Sequence, residues 1–310
     1  MKIGVIFGGV SSEREVSVLT GLSVVEALGK VHEIKSIHYN GMPQSLLDEL
    51  YDVDIVFNAL HGGDGENGNI QSFLELHNIS FVGSGSEASK IAMDKDITKS
   101  LAKANSIPTP DWISIVSDTF NDSTKLLHKD GDKIDYPLVV KPANEGSTFG
   151  ISIVKDDGQL DKSIEHASKF SNKILIEKYI AGRELSVSIL GNKSLPIVEI
   201  IIDNSFYDYD AKYNSIKTKY VVPAALDFDT FETISNDAIK IYNLIGCDNY
   251  ARVDFRLDLN GSHKLLEVNT LPGLTPTSIF PKAANAAGLN YEQLLNTLVD
   301  LGEYKYVKNL

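Results

Sequence analysis

Four residues in the last fifth of this sequence have the types and spacing of a cation-binding face: Arg252, Asp254, Glu267 and Asn269. They lie in two alternating runs, residues 252–257 and 264–269, on either side of Asn260-Gly261. That dipeptide favours a tight hairpin because both central residues need positive φ. With a two-residue loop, Asp254 faces Glu267 and Arg252 faces Asn269. Side chains alternate along a strand, so these four share one face and Val253, Phe255, Leu266 and Val268 take the other. A longer loop would change the register. Two carboxylates and an amide carbonyl on one face form a hard-oxygen set suited to Mg2+, which takes few protein ligands and relies on phosphates for the rest. A solvated edge hairpin in which Arg252 neutralises the acids has the same pattern, so this stretch alone leaves both readings open.

Other residues with chemistry to offer are spread through the chain. Lys95 opens a helical run at 94–104, where a cation is unfavourable unless an anion is nearby. An apolar strand at 137–140 leads into Lys141-Pro142, then the loop NEGSTFG (144–150), and a strand resumes at 151–154. Strand, lysine, small-residue loop and strand can make a clamp over phosphates, offering backbone N–H groups and hydroxyls. It is not a Walker A loop, since no Gly-Lys-Ser/Thr opens a helix, and Gly-Ser-Thr loops also occur in ordinary hairpins. Residues 173–180 (KILIEKYI) read as a strand whose backbone could pair with a base edge, with Glu184 four residues beyond.

The elements that must position these groups begin with a strand at 2–7 ending in Gly8-Gly9. Ser12 to Glu15 has the spacing of a capping box, followed by Val16, Leu19, Val24 and Ala27 on a helical period. Further strands are expected at 33–39, 54–60 and 80–82, with a helix at 69–77. Alternating strands and helices imply a parallel α/β sheet. Ligands of such sheets bind beyond the carboxyl ends of the strands, where Gly8–Glu13 and His61-Gly62-Gly63 fall. The first lacks the third glycine of a dinucleotide fingerprint, which argues against a Rossmann cofactor site. Glu13 can equally complement a helix dipole, and His61 can equally cap a loop. Beyond 181, strands at 184–190 and 195–202, a helix at 227–246 and a closing helix at 291–301 are expected. Residues 203–222 hold four tyrosines and three lysines with no clear periodicity. A loop this long within a compact domain is usually functional, for example an active-site lid.

At 310 residues the chain can form two or three domains, and its 43% apolar and 23% charged content is that of an ordinary globular protein. A net charge of −13 argues against a sequence-independent nucleic-acid binder but not against a nucleotide, because local lysines and bound cations set the field within a site. The single cysteine, Cys247, fits a reducing cytoplasm. No signal peptide, membrane-length apolar run or internal repeat is expected.

Taken together, these features resemble the ATP-grasp enzymes and, among them, the D-alanine:D-alanine ligase family. The blocks that carry the resemblance run in order along the whole chain: FGGVSSEREVS, ALHGGDGENG, VGSG with MDK, VVKPANEGSTFGIS, IEKYIAGRELSV, FYDYDAKY, ARVDFRL and LLEVNTLPGLTPTS. Each is weak alone, but eight collinear blocks make a specific match. Variants such as Ala143-Asn144 before Glu145 and Thr148-Phe149 after Ser147 remove no functional group. The resemblance implies an α/β, three-domain ATP-grasp architecture with an N-terminal parallel-sheet domain. Its parts would be a substrate domain (1–93), a central ATP-grasp subdomain (94–180) and a C-terminal catalytic domain (181–310) with a lid at 203–222. Lys95, Lys141, Ser147 and the lid's Lys212 would contact ATP phosphates. Glu177, Lys178, Tyr179 and Ile180 would meet the adenine edge, and Glu184 the ribose. Asp254, Glu267 and Asn269 would hold two Mg2+ ions, with Mn2+ as a substitute. Glu13 would bind the ammonium of a first D-alanine, linked to Ser147 and Tyr213 in the closed state. His61, Arg252, Gly273 and Ser278 would complete the amino-acid pocket. Catalysis would fall to Glu13, Ser147, Tyr213, Arg252 and Ser278. A homodimer and a role in peptidoglycan precursor synthesis are implied in the same way.

The implied chemistry accounts for these residue types. A carboxylate is a poor acyl donor until ATP converts it to an acyl phosphate, which an amine can attack. Both steps concentrate negative charge, which metals, lysines and Arg252 would stabilise. Acyl phosphates hydrolyse in water, which gives a lid its purpose. A ligase joining D-alanine to D-lactate is the nearest alternative, and Tyr213 argues against it because relatives of that kind tend to alter this position. A silent nucleotide-binding regulator would not need the full set of carboxylates and lysines. A nicotinamide-dependent dehydrogenase fails on the missing glycine fingerprint.

Overall fold

The computed structural model describes residues 1–117, 128–129, 132–146, 149–202 and 218–307. Ser147, Lys212, Tyr213 and residues 203–217 of the expected lid lie outside the described residues. The chain begins β1 (Lys2–Gly8), α1 (Arg14–Leu28), β2 (Glu33–Tyr39), α2 (Leu47–Leu50), β3 (Ile55–Asn58), α3 (Asn69–Leu76) and β4 (Phe81–Val82). Its four strands form a parallel sheet in the order β2-β1-β3-β4. A parallel sheet is covered on both faces, so β1 is apolar at nearly every position. Ile3, Val5 and Phe7 enter one core and Ile6 the other.

Next come α4 (Ser86–Met93), α5 (Lys95–Ala104), β5 (Trp112–Val116), a small ribbon of β6 (His128–Lys129) and β7 (Asp132–Lys133), β8 (Leu138–Pro142), β9 (Ser152–Val154), α6 (Asp157–Ser168) and β10 (Lys173–Lys178). A second, antiparallel sheet runs β5-β10-β8-β9. One of its faces packs on α6 through Ile164, Ile174 and Ile176. The third sheet is built from β11 (Gly182–Leu190), β12 (Lys193–Ser194), β13 (Val198–Ile202), β14 (Thr218–Val221) and, after α7 (Phe228–Ile245), β15 (Tyr250–Asp258) and β16 (His263–Asn269). Its order is β14-β13-β11-β15-β16, with β12 beside β11. Last come α8 (Ile279–Ala286) and α9 (Tyr291–Val307). Among the described residues, no helix is long and apolar enough to cross a membrane.

The N-terminal turn differs from the sequence expectation. The Ser12–Glu15 capping box does not form: α1 starts at Arg14, and Ser12 is exposed. Ser11 organises the turn instead, accepting a hydrogen bond from Glu13 N (3.2 Å) and donating to His61 O (2.6 Å). A tie between two loops has overridden a local cap. The inward face of α1 is Val16, Thr20, Val24 and Leu28, so Leu19, expected on that face, points to solvent.

Helix α1 lies unusually close to β1 at Gly21. A Cβ there would stand 2.3 Å from Cγ of Phe7, itself fully buried. Gly21→Ala must therefore push α1 off the sheet, and overpacking of this kind costs about 1–3 kcal/mol. We expect a lower melting temperature for this variant, together with weaker binding of whatever ligand Glu13 contacts at the helix start. A melting temperature equal to that of the parent protein would show that the contact relaxes freely.

Candidate active site

Strand alternation builds the floor of the site. On β11, Leu185, Val187 and Ile189 face the core under α7; on β15, Ala251, Val253, Phe255 and Leu257 do the same. The opposite face therefore carries Glu184, Ser186 and Ser188 beside Arg256, Asp254 and Arg252, matched pair by pair across the two strands. Strand β16 continues the face, with Asp254 opposite Glu267 and Arg252 opposite Asn269, the register expected from sequence.

The route to that register was not the expected one. The hairpin loop has three residues, with Asp258 N donating to Ser262 O (2.9 Å) and Gly261 at φ +82°. Such a loop shifts the pairing by one, and a bulge beside Phe255 shifts it back. The bulge leaves Leu266 unpaired, and Leu265, not Leu266, fills the core position opposite Phe255.

The charges on this floor are matched. Arg252 donates to Asp254 through Nε (3.0 Å to Oδ1) and Nη2 (2.8 Å to Oδ2), and Ser186 Oγ donates to Asp254 Oδ1 (2.7 Å). Arg256 gathers the segment joining the second and third sheets, donating to Ile180 O (3.1 Å), Gly182 O (3.0 Å) and Glu184 Oε2 (3.0 Å). Burial pushes the Glu184 carboxyl up to about 7; Arg256 opposes the shift, and Asp254 and Glu267 reinforce it. A pocket of about 380 Å3 opens beside this hinge, lined by Lys178, Tyr179 and Ile180 on one side and by Asp258, Leu259 and Lys264 on the other.

Helix α5 supplies cations from its buried face, on which Lys95, Thr98, Lys99 and Ala102 follow helical spacing. Lys95 has the anion its position at the helix start requires: its Nζ lies 3.2 Å from Glu267 Oε2 and donates to Glu145 O (2.6 Å). Asp94 caps the same helix, accepting from the N–H groups of Asp96 and Ile97. Lys141 Nζ donates to Glu177 Oε1 (2.5 Å), and Lys99 Nζ sits 2.9 Å from Glu177 Oε2. Burial disfavours the Glu177 carboxylate, but Lys141 and Lys99 outweigh it and hold its pKa below the usual range.

The N-terminal sheet contributes from the ends of β1 and β3. His61 lies between Thr20 Oγ1 (3.0 Å from Nε2) and Glu66 Oε1 (3.5 Å from Nδ1). Gly62, at φ +64°, lets the loop pass the carboxylate of Glu13; a Cβ there would stand 2.9 Å from Glu13 Oε2. Gly146 of the central loop reaches the same place, with its Cβ position 3.4 Å from Glu13 Oε2 and 3.7 Å from Glu66 Oε2. Burial pushes the Glu145 carboxyl up; Lys95 opposes the shift, and Glu13 and Glu66 add to it. A narrow pocket lined by Glu66, Lys95, Gly146, Glu267 and Asn269 marks where the three sheets meet.

The structure thus gathers Glu13, His61, Lys95, Glu267 and Asn269 around one junction, and sets Lys141 and Glu177 in a second group reached along α5. Gly273 and Ser278 sit together on the loop before α8, Ser278 Oγ lying 2.7 Å from Thr275 Oγ1. Three residues that bear on these groups were not singled out from sequence: Glu66, Lys99 and Arg256. Each had a signal. Glu66 lies in the ALHGGDGENG block, Lys99 follows Lys95 by one helical turn, and Arg256 follows Asp254 on the same strand face.

Asp254, Glu267 and Asn269 also fit a magnesium site by their chemistry. All three are oxygen donors on one face, and Asn269 Oδ1 accepts one bond from Leu271 N (2.8 Å), which leaves a lone pair. Two carboxylates and an amide fall short of a closed cage, the arrangement Mg2+ favours when phosphates supply the other ligands. Among the described residues no group of three or more His, Cys, Asp or Glu gathers as a metal cluster.

Two antiparallel sheets meeting over a floor of paired acids and lysines, beside a parallel-sheet domain, define an ATP-grasp ligase. Sequence models described as D-ala D-ala ligase N-terminus and C-terminus match residues 35–84 and 101–300. The chain is 40% identical over 308 residues to the D-alanine--D-alanine ligase of Halalkalibacterium halodurans, covering 97% of this chain and 99% of that one. It is 41% identical over 301 residues to the enzyme of that name from Actinobacillus pleuropneumoniae, covering 97% of each. The crystal structure of D-alanine--D-alanine ligase from Bacillus anthracis superimposes with a TM-score of 0.90 at 37% identity over all of both chains. The same enzyme complexed with ATP gives 0.87 at 36%, covering 100% of this chain and 99% of that one. The chain belongs to the D-alanine–D-alanine ligase family.

The raised Glu184 carboxyl has a consequence for stability. A folded-state pKa of about 7 against the ordinary 4.5 means that the folded chain holds the extra proton. The stabilisation is therefore complete below about pH 4.5 and is lost as pH rises through about 7. Glu184→Gln keeps the neutral shape and cannot titrate. Unfolding free energies measured across that window should move in the variant's favour as pH rises, by on the order of 2 kcal/mol once solvent at the partly exposed side chain is allowed for. A constant difference between the two proteins would mean that the carboxylate is not held up by its surroundings.

Proposed function

We propose that the protein joins two D-alanines into D-alanyl-D-alanine with conversion of ATP to ADP and phosphate, supplying a peptidoglycan precursor. The observation that carries this reading is the junction itself. Glu13 and Glu66 of the N-terminal loops and Glu145 of the central loop meet Lys95, with its oxygen-donor neighbours Glu267 and Asn269, across Gly146. An amino acid offers an ammonium to the first group and a carboxylate to the second. Each end then has a partner of the opposite sign.

In the first step the D-alanine carboxylate oxygen attacks the γ-phosphorus of ATP; the bond to the β–γ bridging oxygen breaks, and ADP leaves. In the second, the free amine of another D-alanine attacks the acyl carbon, and phosphate leaves as the peptide bond forms. Lys95 and Lys141, with Ser147 and Lys212, would hold phosphate oxygens, and Arg252 the developing oxyanion. Glu177, Lys178, Tyr179 and Ile180 would read the adenine edge, and Glu184 the ribose. Glu13 would fix the first ammonium. His61, oriented by Thr20 and Glu66, would complete the pocket with Gly273 and Ser278. Tyr213 and Ser147 would link to Glu13 on closure, with residues 203–222 as the lid that keeps water from the acyl phosphate. Two Mg2+ ions, replaceable by Mn2+, would be held by Asp254, Glu267 and Asn269 and would neutralise phosphate charge when bound. The reading includes a three-part division at 1–93, 94–180 and 181–310, a homodimer, and work in the cytoplasm, where ATP is available and Cys247 stays reduced.

Phosphate release from ATP with D-alanine, L-alanine, D-lactate or no addition tests the proposal, with release expected for D-alanine far above the rest. Release independent of D-alanine would overturn it. Glu267→Gln should leave melting nearly unchanged and cut turnover by on the order of 100-fold or more, because a charged ligand is lost where phosphate charge accumulates. Near-normal turnover of this variant at ordinary Mg2+ would remove Glu267 from the metal set.

A further inference from the structure

Lys99 is a fully buried lysine that the reaction above does not use. Its side chain has no exposed surface, and burial pushes its pKa down to about 8 against the pull of Glu177. A buried ammonium is costly to keep, and it persists only where its partners are well placed. Lys99 Nζ lies 2.9 Å from Glu177 Oε2, donates to Thr109 Oγ1 (2.8 Å), and stands 5.1 Å from the centre of the Trp112 ring. Thr109 Oγ1 in turn donates to Leu265 O (2.9 Å). Hydrogen bonds therefore run from β16 through Thr109 to Lys99, a 2.9 Å ion pair continues the path to Glu177 on β10, and Lys141 of β8 donates to the other carboxylate oxygen. The charged neighbours that act on Lys99 are Glu177, Lys141 and Asp111.

We propose that Lys99 is a positioning residue for nucleotide selection, holding the Glu177 carboxylate in place as a pure hydrogen-bond acceptor so that the cleft takes a 6-amino purine over a 6-oxo purine. The inference rests on the reading of residues 177–180 as the adenine edge. An ionised carboxylate accepts at about four lone-pair positions and donates at none. Lys141 takes one through a hydrogen bond and Lys99 sits against the other oxygen as an ion pair, which leaves acceptor capacity for an exocyclic amine. A 6-oxo group placed there would meet a second acceptor, and unpaired buried polar groups are the strongest basis of rejection between similar ligands. Without Lys99, Lys141 alone opposes the burial of Glu177. A protonated share of Glu177 then grows, and a protonated carboxyl can donate to a 6-oxo group.

The test compares ATP with ITP in D-alanine-dependent phosphate release by the full chain and by Lys99→Met, Thr109→Val and Glu177→Gln. In Lys99→Met the ATP-to-ITP ratio of kcat/KM should narrow by roughly tenfold, with the loss for ATP falling mainly on KM rather than kcat. Thr109→Val removes the anchor of the ammonium at a partly exposed residue and should narrow the ratio in the same direction by less. A pillar that only supports the fold would lower the melting temperature and the active fraction alike for both nucleotides. A folded Lys99→Met with the parental ratio therefore overturns the proposal. If Lys99→Met does not fold, Thr109→Val decides, and an unchanged ratio there overturns it equally. Glu177→Gln separates the two layers. An unchanged ratio in that variant removes the adenine-edge reading, whereas a shift there with none in Lys99→Met removes the role of Lys99 alone.

Discussion

Charge that is taken out of water must be matched, and the inner surface of this protein is organised by that constraint. Lys95 on α5 meets Glu267 on β16, Lys99 and Lys141 meet Glu177 on β10, and Arg256 on β15 meets Glu184 on β11. All of these contacts join segments that are remote in sequence. The second and third sheets are therefore held in register by the groups that would handle a triphosphate. Taking out one partner of the fully buried Lys99–Glu177 pair would leave the other unmatched, so there the binding surface and the architecture are not separable.

The acids show the same economy. Burial resists ionisation at Glu145, Lys95 opposes it, and Glu13 and Glu66 add to the resistance. A cluster of this kind is held together by the contacts around it, here the Ser11–His61 hydrogen bond and the close passage of Gly62. Such crowding of acids is the property that would make an ammonium group welcome in the proposed reaction.

Alternation and helical period are local properties, and what depended on them was legible in the sequence. β2 begins and ends where its residues predict, α3, α5 and α7 fall within a few residues of expectation, and the Asp254–Glu267 pairing holds. What failed depended on contacts between distant segments. Ser12 has the better capping pattern, but Ser11 is the residue within reach of His61. Leu19 fits the period of α1, but no partner covers it, and it is 61% exposed. Leu265 displaced Leu266 because a three-residue loop needed a compensating bulge, and the Asn-Gly dipeptide is compatible with either loop. Glu66 and Lys99 had only the weak signals of a shared block and a helical turn, since their roles come from Glu13, His61 and Glu177 arriving from elsewhere in the chain.

The last helix returns to the first sheet. Leu294, Leu295, Leu298 and Val299 of α9 share a core with Ile3, Val5 and Phe7 of β1, and Gly302 packs against Ile55 and Val82. On the ribosome these partners appear far apart in time, because most of this sequence lies between them and synthesis runs at roughly 5–20 residues per second. Helix α1 covers β1 on that face early, but the part over β3 and β4 must wait for α9 to emerge. Contacts of such long sequence separation slow folding, and exposed sheet faces invite aggregation in the interval. Holding factors that shield the nascent N-terminal sheet should thus matter more to the yield of this protein than to one whose first sheet is closed by its own local helices.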